Sequence, residues 1–112
     1  MRIAKGPMAP MSNLSILQEL ARDRAAREGM QSRHSPKNLA NEVLIEASKL
    51  ASGFSWMSSK DSIILAHQPA DRERLSGQVV DMVYLLLRLA DELGINLESA
   101  VSQSLRRQDS TS

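Results

Sequence analysis

The 112-residue sequence contains no cysteine, which removes disulfides, thiolate chemistry and sulfur-ligated zinc together. Its two histidines, His34 and His67, stand apart in the chain, so any metal would be a hard cation on oxygen ligands. A surplus of one charge is also missing: 14 Lys and Arg against 13 Asp and Glu, interspersed, leave a net charge of +1. With no basic stripe to neutralise phosphates, nucleic acid is not an expected partner. No apolar run approaches the length of a membrane span, and the stretch from Met1 to Met11 carries charge and proline but no apolar core of a signal peptide. The expected setting is cytoplasmic, with no membrane partner. Aromatic residues make up only 3% of the chain, and Trp56 is its one tryptophan.

What is present is helical periodicity. Residues 1 to 11, with Gly6, Pro7 and Pro10, cannot hold a regular element and read as a disordered leader. Residues 12 to 107 read as one helical domain, and the polar residues 108 to 112 as a disordered tail. A first helix starts with Ser12 or Asn13 as cap, carries Leu14, Leu17, Leu20, Ala21 and Ala25 as its apolar stripe, and stops at Gly29. Ser35-Pro36 is a helix start, a capping hydroxyl followed by proline where its missing N–H costs nothing. The helix from Pro36 to about Ser52 sets Leu39, Val43, Ala47 and Leu50 on one side, with Glu42, Glu46 and Lys49 on an adjacent polar strip.

After the irregular Phe54 to Met57 piece, Asp61 to His67 suits a brief helix that Pro69 interrupts. A long helix from about Asp71 to Leu93 closes at Gly94, and Asn96 caps a last one through about Arg107, with Leu97, Val101 and Leu105 every four residues. The pattern predicts an all-α, four-helix bundle. The stretch from Val79 to Leu93 is apolar nearly all round, broken by Asp81, Tyr84, Arg88, Asp91 and Glu92. A monomer would leave much of it in water, so completion of the bundle by a homodimer or higher oligomer is expected.

His34-Ser35-Pro36-Lys37-Asn38-Leu39, then Glu46 and Phe54-Ser55-Trp56, followed downstream by Val80-Asp81-Met82-Val83-Tyr84-Leu85-Leu86 and Leu93-Gly94-Ile95, resembles the MazG-like and dCTP-pyrophosphatase-like family over roughly residues 14 to 105. That resemblance implies hydrolysis of nucleoside triphosphates to monophosphate and pyrophosphate, with magnesium held by an E-x-x-E pair on one helix and an E-x-x-D pair on the next. Carboxylates three apart share a helical face about 5 to 6 Å apart, so two such helices can offer oxygens to Mg²⁺ ions that also hold the substrate phosphates. The metal would activate water and neutralise developing charge.

Laid over this chain, the first pair becomes Glu46 and Lys49 and the second Gln78 and Asp81, so the metal motif is degenerate. Lys49 sets an ammonium one turn from Glu46, where it can pair with that carboxylate and repel a divalent cation. The family's phosphate-contacting positions in the last helix fall on Ser104 and Gln108. Arg106 and Arg107 could serve from a shifted frame, or simply be a solvated helix end. Glu42, one turn before Glu46, could replace the lost carboxylate and give a Glu42, Glu46, Asp81 magnesium site, or be surface decoration.

The same resemblance sets His34, Asn38 and Trp56 on the base-binding side, making them nucleotide-binding candidates. The competing reading has Trp56 and Phe54 plug the bundle end, with His34 in the capping turn. His67 has no acid or nucleophile at a telling spacing, and no serine is paired with a base. The expectation is thus a MazG-like protein with impaired or lost catalysis, serving as a nucleotide-binding or protein-interaction module. The alternative is an active Mg-dependent pyrophosphohydrolase, and a third class is a purely structural helical partner.

Overall fold

A computed structural model of the chain describes residues 13–107; the expected leader and tail, the capping role of Ser12 and the position of Gln108 lie outside them. The described residues form five α-helices and no strand: α1 (Asn13–Arg27), α2 (Pro36–Ser52), α3 (Ser59–Ala66), α4 (Pro69–Glu92) and α5 (Leu97–Arg106), with a single 3-10 turn, Gln31–Arg33, between α1 and α2.

Local chemistry sets most of the boundaries. Ser35 Oγ accepts the Asn38 N–H at 3.1 Å and Pro36 is the first residue of α2, so both helix-start signals operate. Ser58 and Asn96 cap α3 and α5 in the same way, accepting from the Asp61 and Ser99 N–H groups. Gly29 and Gly94 sit at φ of 67° and 72°, the left-handed conformation that lets Met30 and Ile95 donate back to Ala25 O and Ala90 O at 2.8 and 2.9 Å. Pro69 does not interrupt a helix; it begins α4, two residues ahead of the expected Asp71, because proline fits the first turn, where no N–H is needed. The brief third helix likewise starts two residues earlier than expected.

The long α4 is the centre of the domain, packing most extensively on α2 and also on α1 and α3, while α5 lies against α1. Among the described residues the buried apolar side chains are few: Ala21, Ala25, Leu39, Leu87 and Ala90. The buried stripe of α1 is Gln18, Ala21 and Ala25, whereas Leu17 and Leu20, expected inside, are exposed. Gln18 wins that position because both ends of its amide are used. Nε2 donates to Ile95 O and Oε1 accepts the Leu97 N–H, each at 3.2 Å, so the turn between α4 and α5 is clamped onto α1.

Val79, Val80, Val83 and Leu86 of α4, Leu93 just after it, and Val101 and Leu105 of α5 remain exposed within one chain. No helix among the described residues is long and apolar enough to cross a membrane.

Candidate functional site

The 3-10 turn and the start of α2 meet α4 around an open cavity of about 570 Å³, lined among others by Arg33, His34, Asn38, Leu39, Glu42 and Leu85. The cap geometry of α2 builds this wall. With the Asn38 N–H held by Ser35 Oγ, the Asn38 side chain donates through Nδ2 to Arg33 O at 3.0 Å, tying the turn that carries Arg33 and His34 to the helix that carries Glu42. Leu39 is buried behind them.

His34 is held from the opposite side by Arg88 of α4, whose Nε–H donates to His34 Nδ1 at 3.1 Å. The guanidinium is 0% exposed, and burying a cation is costly unless every face is satisfied. Here Nη1 donates to Asp91 Oδ2 at 2.9 Å and Nη2 to Glu92 Oε2 at 2.7 Å. Asp91 also receives Nε and Nη2 of Arg22 from α1, the latter at 2.7 Å. The Arg22 hydrogen bond, supported by Arg88, holds the Asp91 carboxyl below the ordinary carboxylate range. Burial, and then the neighbouring Arg88 cation, push the His34 imidazole below its ordinary value. Both agree with a neutral ring whose Nδ1 accepts. Tyr84 adds an edge-on contact to His34 at 6.4 Å, with the Arg24 guanidinium 4.2 Å over its ring.

The structure therefore brings together His34, Asn38 and Glu42 of the candidate residues and leaves Trp56 apart. Trp56 is 96% exposed, so it does not plug the bundle end, and within one chain it is not part of the cavity wall. The positions that the resemblance assigns to the metal lie on α2 and α4. Lys49 Nζ is 3.3 Å from Glu46 Oε2, Asp81 is exposed, and Gln78 Oε1 is buried without a hydrogen-bond partner. Among the described residues no three His, Asp or Glu side chains form a group that could hold a metal ion, so Glu42, Glu46 and Asp81 are not gathered into one. A carboxylate engaged by an ammonium and a neutral amide oxygen are a poor donor set for Mg²⁺, and these residues do not fit the ion the resemblance implies.

Sequence reasoning missed Arg88 and Gln18. Arg88 had a visible signal, since Asp91 and Glu92 follow it at spacings of three and four, the helical ion-pair positions.

No protein-family model matches the chain. The chain is similar to dCTP pyrophosphatase 1 of Rattus norvegicus, 30% identical over 100 residues that make up 88% of this chain and 59% of that protein. It is also similar to dCTP pyrophosphatase 1 of Mus musculus, 28% identical over 93 residues, 83% of this chain and 55% of that one. The chain thus spans somewhat over half the length of these relatives. Among solved structures, a pyrophosphatase from Archaeoglobus fulgidus DSM 4304 shares the fold with a TM-score of 0.73 and 24% identity, covering 93% of this chain and 95% of that chain.

Proposed function

The chain is MazG-like and all-α, and from that premise we propose that it is a pyrophosphohydrolase-fold protein with impaired or lost catalysis that binds a nucleotide in the His34, Asn38 cavity, or a protein partner, as a homodimer or higher oligomer. The observation that carries the loss of catalysis is the ion pair of Lys49 with Glu46 at 3.3 Å. It ties up a carboxylate that the resemblance assigns to magnesium with a cation that repels one. Gln78 gives α4 a neutral oxygen where the resemblance expects an acid.

Nucleotide binding is supported by the retained cavity. At about 570 Å³ it is in the size range of small-molecule sites, and its wall sets Leu39 and Leu85 beside the polar groups of Arg33, His34, Asn38 and Glu42. The relatives' own names concern dCTP, and a pyrimidine nucleotide is accordingly the first ligand to try. The exposed apolar residues of α4 and α5 support self-association.

The test is pyrophosphate release from a panel of nucleoside triphosphates with Mg²⁺ or Mn²⁺, run beside calorimetric titration of the same nucleotides. Binding without turnover is the expected result. Turnover abolished by Asp81→Ala would overturn it and establish a working enzyme, with Glu42, Glu46 and Asp81 as the groups to examine for Mg²⁺. Neither binding nor turnover would leave the interaction module.

A further inference from the structure

We propose that Arg88 is a positioning residue for the cavity: it locks His34 as the neutral Nε2–H tautomer, so that this wall offers one fixed, uncharged hydrogen-bond donor to an uncharged acceptor such as a base carbonyl or ring nitrogen. This deepens the nucleotide-binding reading and rests on it for the identity of the ligand, though not for the state of the ring.

Arg88 Nε carries a single hydrogen, and it points at His34 Nδ1 across 3.1 Å. An N–H needs a lone pair opposite it, so Nδ1 bears no hydrogen, and in a neutral imidazole the one ring hydrogen is then on Nε2. The same contact selects the ring orientation, because turning the ring over would set a carbon where the acceptor must be. A doubly protonated ring would oppose N–H to N–H beside a buried cation.

Arg88 cannot swivel to accommodate another state. Its Nη1 and Nη2 each donate one hydrogen bond, to Asp91 at 2.9 Å and Glu92 at 2.7 Å, and Asp91 is itself held by Arg22. The imidazole is thus fixed by groups on α4 and, through Arg22, on α1, while the ring itself lines the cavity beside Asn38 and Glu42. Among the described residues no hydrogen bond engages Nε2, so its N–H remains for a ligand. A neutral donor suits an uncharged acceptor better than a phosphate oxygen, which gains more from a charged donor.

The experiment is ¹⁵N long-range correlation NMR on the histidine-labelled full chain at pH 7.5, with His67→Gln assigning the two rings. His34 should show an acceptor-type Nδ1 and a protonated Nε2 in a single tautomer, while Arg88→Met should give the averaged signals of a free imidazole. An Nδ1–H tautomer, or averaged signals already in the parent, would overturn the proposal even if Arg88→Met does not fold.

Titrating cytidine, uridine, adenosine and, separately, inorganic pyrophosphate gives the ligand half. A nucleoside should move the His34 Nε2 resonance and pyrophosphate should not; the reverse, or silence from every nucleoside, defeats the uncharged-acceptor assignment. His34→Gln, whose amide can accept from Arg88 and donate to the cavity, should keep nucleoside affinity within a few-fold, whereas His34→Leu should lose up to about tenfold. Equal losses in both would reduce His34 to a packing role. The tautomer is read without ligand, so failure of nucleotide binding in calorimetry is separable from failure of the Arg88 assignment.

Discussion

Lys49 extends its ammonium to within 3.3 Å of Glu46 Oε2, one helical turn back along α2. Lys49 is 60% exposed and Glu46 19%, so the pair belongs to the partly solvated class whose contribution is about 0.3 to 0.5 kcal/mol for helical spacings. Lys49→Ala should therefore lower the stability by no more than about 1 kcal/mol in denaturant unfolding. A larger loss would mean that Glu46 depends on Lys49 for its only counter-charge.

The consequence of the same pair for metal binding is sharper. Lys49→Glu with Gln78→Glu sets an acidic residue at both positions where the resemblance expects one, and the doubly substituted chain should gain a thermal shift with millimolar Mg²⁺. A ligand that binds only the folded state stabilises it by RT ln(1 + [L]/Kd). The parent, with Glu46 occupied by Lys49, should show little shift. An upward shift in the parent as large as in the variant would show that Lys49 does not block the site and would favour the working enzyme.

How far these features could be read ahead depends on whether their physics is local. The caps at Ser35 and Asn96 and the closing turns at Gly29 and Gly94 rest on residues within a few positions of one another, and the structure has each of them. The Lys49–Glu46 pair is local in the same sense. Arg88 read as a polar break in an apolar helix; its pairing with Asp91 and Glu92 is local and legible, whereas its histidine partner lies 54 residues away. Gln18, bonded across 77 and 79 positions, sits among leucines that looked like better core residues and gave no signal. Of the two readings of Trp56, the plug of the bundle end fails, because the side chain stands in solvent within one chain.

The His34 environment predicts a definite acid limb. Its pKa is lowered from the ordinary 6.5 by burial and by Arg88, so the unfolded chain binds a proton there more readily than the folded one. The resulting stability is fully present above the ordinary imidazole range, and declines as pH falls through 6.5 toward the depressed folded value. Asp91, depressed chiefly by Arg22, adds a second loss only below the ordinary carboxylate range. Denaturant midpoints from pH 8 to 5 should fall in the parent and stay flatter in His34→Gln, which has no proton to take up at that position. A parent profile as flat as that of the variant would mean His34 is as easily protonated folded as unfolded.

The last expectation concerns assembly. Leu14 of α1, Val83 and Leu86 of α4, Leu93 at its C-terminal cap, and Val101 of α5 line an apolar groove of about 410 Å³, and Leu105 lies 73% exposed farther along α5. Leaving these in water forgoes about 25 cal/mol for each Å² that a second subunit would cover, and extended apolar patches are uncommon on monomers. Light scattering after size exclusion should therefore give a dimer or larger species. Leu86→Glu should shift the population toward monomer, because a charge desolvated in an apolar interface has no partner there. The helical circular dichroism should persist, since Leu86 is already 44% exposed within one chain. A parent that runs as a monodisperse monomer at micromolar concentration would show that α4 needs no cover beyond its own chain, and the proposed self-association would fall while the cavity at His34 would remain open to test.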